Sequence, residues 1–232
     1  MRIPSLLTLS ALLVLGIGGA PASVVPPQSG FAAEGWRVLE VPGKTPTRFM
    51  VSKGGQIKVT AQESVGFLYR RVASAGGTAM RLAWRWRVDQ TPPPTDQAMK
   101  GMDDRPLAVH VWFEGEDGAT GQWSLLDRIG AWMLNHPLPG KALTYVWGGT
   151  GQRGDRLPNP YLESTGHIII LRPGDSAVGR WFSESVDIAA DYERAFGYRP
   201  SRPAFVAISA DTDDKRGMSM GVVSDITFAG DE

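Results

Sequence analysis

The chain has 232 residues, and its 24 Lys and Arg residues balance 24 Asp and Glu residues, so its formal net charge at pH 7 is zero. This neutrality argues against nucleic acid as a partner, because such binding depends on neutralising phosphates, and against a general attraction to anionic membranes. The chain contains no Cys, which excludes disulfides and metal sites built on thiolates.

The first residues carry the three parts of a secretory signal peptide. Arg2 supplies a positive charge, Leu6–Ile17 is an apolar run, and Ala20-Pro21-Ala22 matches the small-residue pattern of a cleavage site. The apolar run is shorter than the roughly 20 residues that cross a bilayer, so it predicts no membrane span. We therefore expect residues 1–22 to be removed near Ala22 and the remaining chain to work in the periplasm or as a secreted protein.

Residues 23–35 predict a flexible N-terminal segment, and strand-like segments follow it. The clearest is Met80–Asp89, where apolar residues from Leu82 to Val88 alternate with arginines, the period-two pattern of a half-buried strand. In chain order, the predicted strands are Trp36–Val41, Gln56–Ala61, Gly66–Val72, Met80–Asp89, Leu107–Glu114, Ala142–Trp147, Gly166–Leu171, Arg180–Ile188, Ala204–Ala210 and Met218–Phe228.

Helical signals are few. Ser124–Leu134 and Ile188–Phe196 are the predicted short helices, and Gly197 fits the C-cap of the second. About ten strands punctuated by Gly and Pro turns, without regular helices between them, indicate antiparallel sheets. The expected fold is all-β: a two-sheet antiparallel β-sandwich or jelly roll, formed by residues 36–232 as a single domain.

Several segments, taken in order, resemble a bacterial family of exported proteins described as a domain of unknown function. The resemblance covers about residues 36–229, and it implies a single β-sandwich domain found in secretory proteins of Gram-negative bacteria. It implies no site residues. The segments that carry it are LAWRWRVDQTPP at 82–93, DDRPLAVHVWFE at 103–114, LTYVWG at 143–148, NPYLESTGHIIILRPG at 159–174, VGRWFSESVDIAADYERAFG at 178–197 and AISADTDDKRGMSMGVVSDITF at 207–228.

The densest acidic cluster is Asp211, Asp213 and Asp214, directly after a predicted strand. Three neighbouring carboxylates repel one another unless a cation neutralises them, and calcium accepts such oxygen ligands. The EF-hand pattern fails, because its Gly and its final Glu are missing. A calcium site at these three residues and a solvated turn with local countercharge from Lys215 and Arg216 are both open interpretations.

A second acidic group flanks the Pro-rich loop that precedes the Leu107–Glu114 strand. Strand ends gather at the rims of a sandwich, so we expect Asp104 and Asp211 to lie in one cluster, neutralised by Arg105, Arg216 or a cation. Two carboxylates at a suitable separation are also what glycoside hydrolysis requires. The candidate ligand-binding residues at this rim are Asp89, Asp103, Asp104, Arg105, Asp211 and Asp213.

Aromatic and basic side chains on the strands provide further candidates. His110 and Trp112 share one face of their predicted strand, opposite Val109, and could form a platform for stacking a sugar. The arginines at 81, 85 and 87 form a stripe, for which structural ion pairs are the first interpretation and a groove for an acidic or hydroxyl-rich polymer is the second.

These patterns favour an exported, non-catalytic binding protein of the cell envelope. Carbohydrate is the favoured ligand class, by analogy with jelly rolls that bind glycans. The alternatives are a carboxylate-dependent glycan-cleaving enzyme, either hydrolase or lyase, and a structural or assembly protein. The sequence predicts no catalytic residue, no cofactor other than the calcium considered above, and no partner beyond a glycan or another envelope ligand.

Overall fold

The computed structural model describes two β-sheets packed face to face as a sandwich, which confirms the predicted fold class. It describes residues 35–51, 54–72, 80–114 and 139–229. The strands are β1 (Arg37–Glu40), β2 (Arg48–Val51), β3 (Ile57–Gln62), β4 (Val65–Arg71), β5 (Arg81–Gln90), β6 (Arg105–Glu114), β7 (Pro139–Trp147), β8 (Arg156–Pro158), β9 (Gly166–Arg172), β10 (Phe182–Asp187), β11 (Pro203–Asp211) and β12 (Met218–Ala229).

The larger sheet has the strand order β1-β4-β11-β6-β7-β9-β8, and the smaller sheet has the order β10-β5-β12-β3-β2. All described pairs are antiparallel except β7 with β9, which is parallel. The pattern of short strands between Gly and Pro turns predicts antiparallel sheets throughout, so this parallel pair was not predicted. Its physical cause is connectivity: β8 and a 3-10 turn at Glu163–Thr165 lie between the two strands and return the chain to the start of β7.

The core lies between the sheets and is rich in aromatic rings. Trp84 and Trp86 on β5 are at most 1% exposed, as the alternation of that strand predicts. Their ring centroids lie 5.3 Å apart, and Trp86 packs edge-to-face against Trp147 of the opposite sheet at 5.6 Å. Such contacts stabilise a core beyond the burial of apolar area alone.

The helix α1 (Ile188–Phe196) matches the predicted bounds. Asp187 caps its first turn by accepting a hydrogen bond from the Ala190 amide at 2.9 Å, and Gly197 ends it in the left-handed region at a φ of 85°. The predicted signal peptide, the segment at 23–34 and the predicted helix at Ser124–Leu134 lie outside the described residues. Within the described ranges, no helix is long and apolar enough to cross a membrane.

Candidate functional site

One end of the sandwich gathers most of the acidic residues that the sequence analysis singles out. Arg105 begins β6 and Asp211 ends β11, and the two residues are opposite each other in the antiparallel register. Residues 213–216 form the turn that leads to β12. We call this end the acidic rim, and it comprises Lys44, Asp103, Asp104, Arg105, Tyr161, Asp211, Asp213 and Asp214.

Arg105 is the central cation of the acidic rim. Its side chain is 8% exposed, its Nη1 donates to Asp103 Oδ2 at 2.9 Å, and its Nη2 lies 3.8 Å from Asp211 Oδ2. Burial alone would lower the pKa of Arg105, but the carboxylates of Asp211 and Asp103 outweigh it and raise that pKa. The guanidinium therefore stays charged and lies between two carboxyl groups.

Asp104 has a structural role in the rim. Its carboxylate accepts hydrogen bonds from the backbone amides of Asp214 at 3.1 Å and Lys215 at 3.0 Å, which fixes the turn after β11. Burial raises the pKa of Asp104, although these two amide contacts oppose the shift. Asp104 is 1% exposed, so its carboxylate is occupied by the backbone of the turn.

Two rim residues were missed by the sequence analysis. Lys44 forms an ion pair with Asp213, which is the second neutralising contact of the rim, whereas the predicted Arg216 forms no ion pair with any described residue. Tyr161 donates to Asp103 Oδ1 at 3.1 Å and accepts from the Gly101 amide at 3.1 Å. Lys44 and Tyr161 lie in loops distant in sequence from the acidic segments, and Asn159-Pro160, typical of a turn, is the only local signal before Tyr161.

Neighbouring carboxyl groups shift the pKa values of three acidic residues of the rim. Burial and the contact with Asp213 raise the pKa of Asp211 well above its usual value, although Arg105 opposes the shift. Burial would also raise the pKa of Asp213, but hydrogen bonds with Asp211 and Lys44 hold it below its usual value. Burial and the contact with Asp103 raise the pKa of Asp214 to about 6. Asp211 and Asp214 therefore take up a proton more readily than ordinary aspartates.

The pKa of Asp214 predicts a pH-dependent effect of Asp214→Asn. A carboxyl whose pKa is higher in the folded than in the unfolded protein costs stability when it ionises, and the cost grows as pH rises through about 6. Asn mimics the protonated acid, so Asp214→Asn should stabilise more at pH 7 than at pH 5, by about 1 kcal/mol after allowing for solvent screening. Urea denaturation at both pH values measures this difference, and an equal effect at pH 5 and pH 7 would contradict the raised pKa of Asp214.

The structure does not bring the remaining candidates to the rim. Asp89 pairs with Arg87 on its own strand at 2.7 Å. His110 and Trp112 share a face as predicted, and their rings stack with centroids 5.5 Å apart. His110 itself is only 4% exposed, because both ring nitrogens contact hydroxyls of the neighbouring strands: Thr144 Oγ1 at 3.0 Å and Ser209 Oγ at 2.8 Å. Burial, followed by the charge of Arg105, holds the pKa of His110 well below its usual value.

The metal prediction is not resolved by this geometry. In the part of the chain that the structure describes, no group of three or more His, Asp or Glu side chains is arranged to hold a metal ion. Calcium at Asp211, Asp213 and Asp214 stays a prediction. A rise of the thermal midpoint on adding calcium, reversed by a chelator, is the result that would establish it.

Most of this chain matches the model of one protein family. The family model described as Protein of unknown function (DUF3047) matches residues 34–227. The chain belongs to the DUF3047 family. This membership confirms the resemblance that the sequence segments carry. No curated protein matches the chain.

Solved structures similar to this DUF3047 chain include two xyloglucanases and one carbohydrate-binding module. The xyloglucanase domain of NopAA, a type three effector from Sinorhizobium fredii, is 11% identical, with 92% of this chain and 99% of that chain covered and a TM-score of 0.47. A family 12 xyloglucanase from Bacillus licheniformis is 8% identical, with 90% and 97% covered and a TM-score of 0.47. A family 11 carbohydrate-binding module from Clostridium thermocellum is 9% identical, with 91% and 97% covered and a TM-score of 0.40.

Proposed function

We propose that this chain is an exported, non-catalytic binding protein of the cell envelope whose acidic rim binds a neutral, hydroxyl-rich glycan. The observation that carries the proposal is the position of Tyr161. Its side chain is exposed, while its hydroxyl is fixed by Asp103 and by the Gly101 amide. A ring held at its hydroxyl end presents an apolar face of defined orientation, which suits stacking against the C–H surface of a sugar.

The charges beside Tyr161 support a neutral ligand. Asp103 accepts a hydrogen bond from Tyr161 and raises the pKa of Asp214, so the ring lies beside the carboxyl groups of the rim. Carboxylate oxygens accept hydrogen bonds from sugar hydroxyls. The rim has five carboxyl groups, and the cations at this end are Lys44, Arg105 and, in the turn at 213–216, Lys215 and Arg216, so its charges nearly balance, which suits a ligand without charge.

The same geometry favours binding over cleavage. Glycoside hydrolysis places two carboxyl groups about 5–5.5 Å or about 6.5–9.5 Å apart, with the scissile bond between them. Both carboxylate oxygens of Asp104 are already occupied by amides of the turn after β11. Between Asp103 and Asp211 the space is occupied by the Arg105 guanidinium. A glycosidic bond therefore has no room between Asp103 and Asp211.

Native electrophoresis in gels that contain soluble neutral polysaccharides tests the proposal. The protein should be retarded by at least one neutral polysaccharide, and Tyr161→Ala should weaken binding about tenfold, the effect of losing one stacking contact. Tyr161→Phe keeps the ring and should weaken binding less. The control is Val178→Ala, which truncates another exposed apolar side chain.

Three results would overturn the proposal. The first is the absence of retardation across a broad panel of neutral polysaccharides. The second is equal binding by Tyr161→Ala and the parent protein. The third is the release of reducing ends from a retarding polysaccharide, which would favour the glycan-cleaving alternative instead.

Export is the part of this proposal that rests on the first 22 residues. Arg2, the apolar run Leu6–Ile17 and the Ala20-Pro21-Ala22 pattern predict that the protein isolated from the cell envelope begins near Ser23. Intact-mass measurement of that protein tests the cleavage site. A full-length product that begins at Met1 and fractionates with the cytoplasm would contradict export.

A further inference from the structure

The outer face of the smaller sheet carries a row of side chains that crosses four strands and reaches the start of the fifth. Directly paired residues of antiparallel strands lie on the same face. Arg87 on β5 is opposite Val222 on β12, which is opposite Lys58 on β3, which in turn is opposite Met50 on β2. Trp181, directly before β10, extends the row, because the Arg87 guanidinium lies 5.2 Å from its ring centroid. Four strand spacings make this row about 19 Å long.

This face is positively charged although the whole chain is neutral. Five basic side chains lie on it at positions fixed by the strand registers: Arg48, Lys58, Arg81, Arg85 and Arg87. Three carboxylates accompany them: Asp89, Asp187 and Asp225. Arg48 and Lys58 are exposed and form no ion pair with any residue that the structure describes. The face therefore has an excess of positive charge in contact with solvent.

Trp181 supplies a rigid aromatic surface within this charge. The guanidinium groups of Arg85 and Arg87 lie 5.1 Å and 5.2 Å from its ring centroid, which are cation–π distances. The ion pairs of these arginines are partly exposed, at 3.7 Å for Arg85 with Asp225 and 2.7 Å for Arg87 with Asp89. Exposed pairs of this kind contribute about 0–1 kcal/mol, so a ligand carboxylate can replace them at little cost.

We propose that this face is a second binding site, distinct from the acidic rim, and that its ligand is an anionic polysaccharide lying across the strands. Guanidinium groups match the geometry of a carboxylate with two parallel hydrogen bonds, so Arg85 and Arg87 bind uronate groups. Trp181 packs against a sugar ring beside them, and Lys58 attracts the next charge along the chain.

An anionic membrane surface fits the face less well. Membrane-surface binding buries several apolar side chains in the bilayer interface. Among the described residues of this face, Met50 is the one large apolar side chain that is more than half exposed. Trp181 is packed against Arg85 and Arg87 of β5, which holds the ring on the surface of the sheet. A flat polymer with alternating sugar rings and charges matches this surface better.

Titration calorimetry with polygalacturonate oligomers tests the proposal in the exported form of the protein. The parent protein should bind, and binding should weaken as salt is raised, because exposed charges are screened. The double variant Arg85→Gln with Arg87→Gln should weaken binding at least about tenfold. The matched control is Arg194→Gln with Arg202→Gln, which removes two exposed arginines from elsewhere on the surface and should bind as the parent does.

Two further measurements separate this site from its alternatives. Trp181→Ala should weaken polygalacturonate binding more than Trp181→Tyr, whereas Tyr161→Ala at the acidic rim should leave it unchanged. The absence of polygalacturonate binding, or an equal loss in the control double variant, would overturn the proposal. Binding to phosphatidylglycerol-rich vesicles that is as tight as binding to polygalacturonate would assign the face to membranes instead.

Discussion

Arg105→Met is expected to lower the free energy of unfolding by about 3–5 kcal/mol, because it leaves buried carboxyls without their cation. The Arg105 side chain is 8% exposed and faces Asp103 and Asp211, whose side chains are 5% and 10% exposed. Met matches the length of the lost side chain, so the change removes charge and hydrogen bonds more than volume. Urea denaturation at pH 7, followed by tryptophan fluorescence, measures the loss.

A control substitution of an exposed arginine and a measurement at lower pH test whether the loss comes from the buried charge of Arg105. Arg202→Met removes an exposed arginine that pairs with Glu114 at 2.7 Å, and it should cost about 0–1 kcal/mol. The loss caused by Arg105→Met should shrink in mildly acidic solution, because the raised pKa of Asp211 lets this carboxyl become neutral. A loss under about 1 kcal/mol at pH 7 would show that Arg105 does not hold the rim together.

Trp86→Ala is expected to lower the free energy of unfolding by about 3–5 kcal/mol, because it truncates a buried aromatic side chain. Trp86 is fully buried, and its indole Nε1 donates to Glu184 at 3.1 Å. Trp86→Phe should cost less, because Glu184 keeps its contacts with Arg172 and Arg153. The loss caused by Trp181→Ala should be smaller, since that ring is partly exposed on the outer face. A loss within about 0.5 kcal/mol for Trp86→Ala would mean that this face of β5 is not core.

The fold could be predicted where local patterns determine it. The alternation on β5 fixes which face is buried, and the Asp187 and Gly197 caps fix both ends of α1. β2 and β8 were missed because RFMV and RLP are too short to show alternation, and Pro158 argues against a strand. The parallel pairing of β7 with β9 depends on contacts between separate segments, which periodicity does not encode.

For the candidate site too, some residues could be predicted from local sequence patterns and others could not. The sequence predicts that Asp104 lies close to the turn after Asp211, because strand ends lie together at the rim of a sandwich. Lys44 and Tyr161 come from loops whose approach to the rim depends on the whole fold, so no spacing in the sequence indicates them. The burial of His110 was missed because its hydroxyl partners are supplied by two other strands.

The strands at the borders of the two sheets argue against a structural or assembly role in which another chain adds a strand. β1 and β8, which border the larger sheet, have four and three residues, and β2 at one border of the smaller sheet has four. Another chain joins a sheet through a long row of unpaired backbone groups, and strands this short provide few of them. Pro158 in β8 removes one more amide donor. Three of the four borders therefore resist strand addition, which protects the sandwich against edge-to-edge aggregation and directs recognition to its faces and rims.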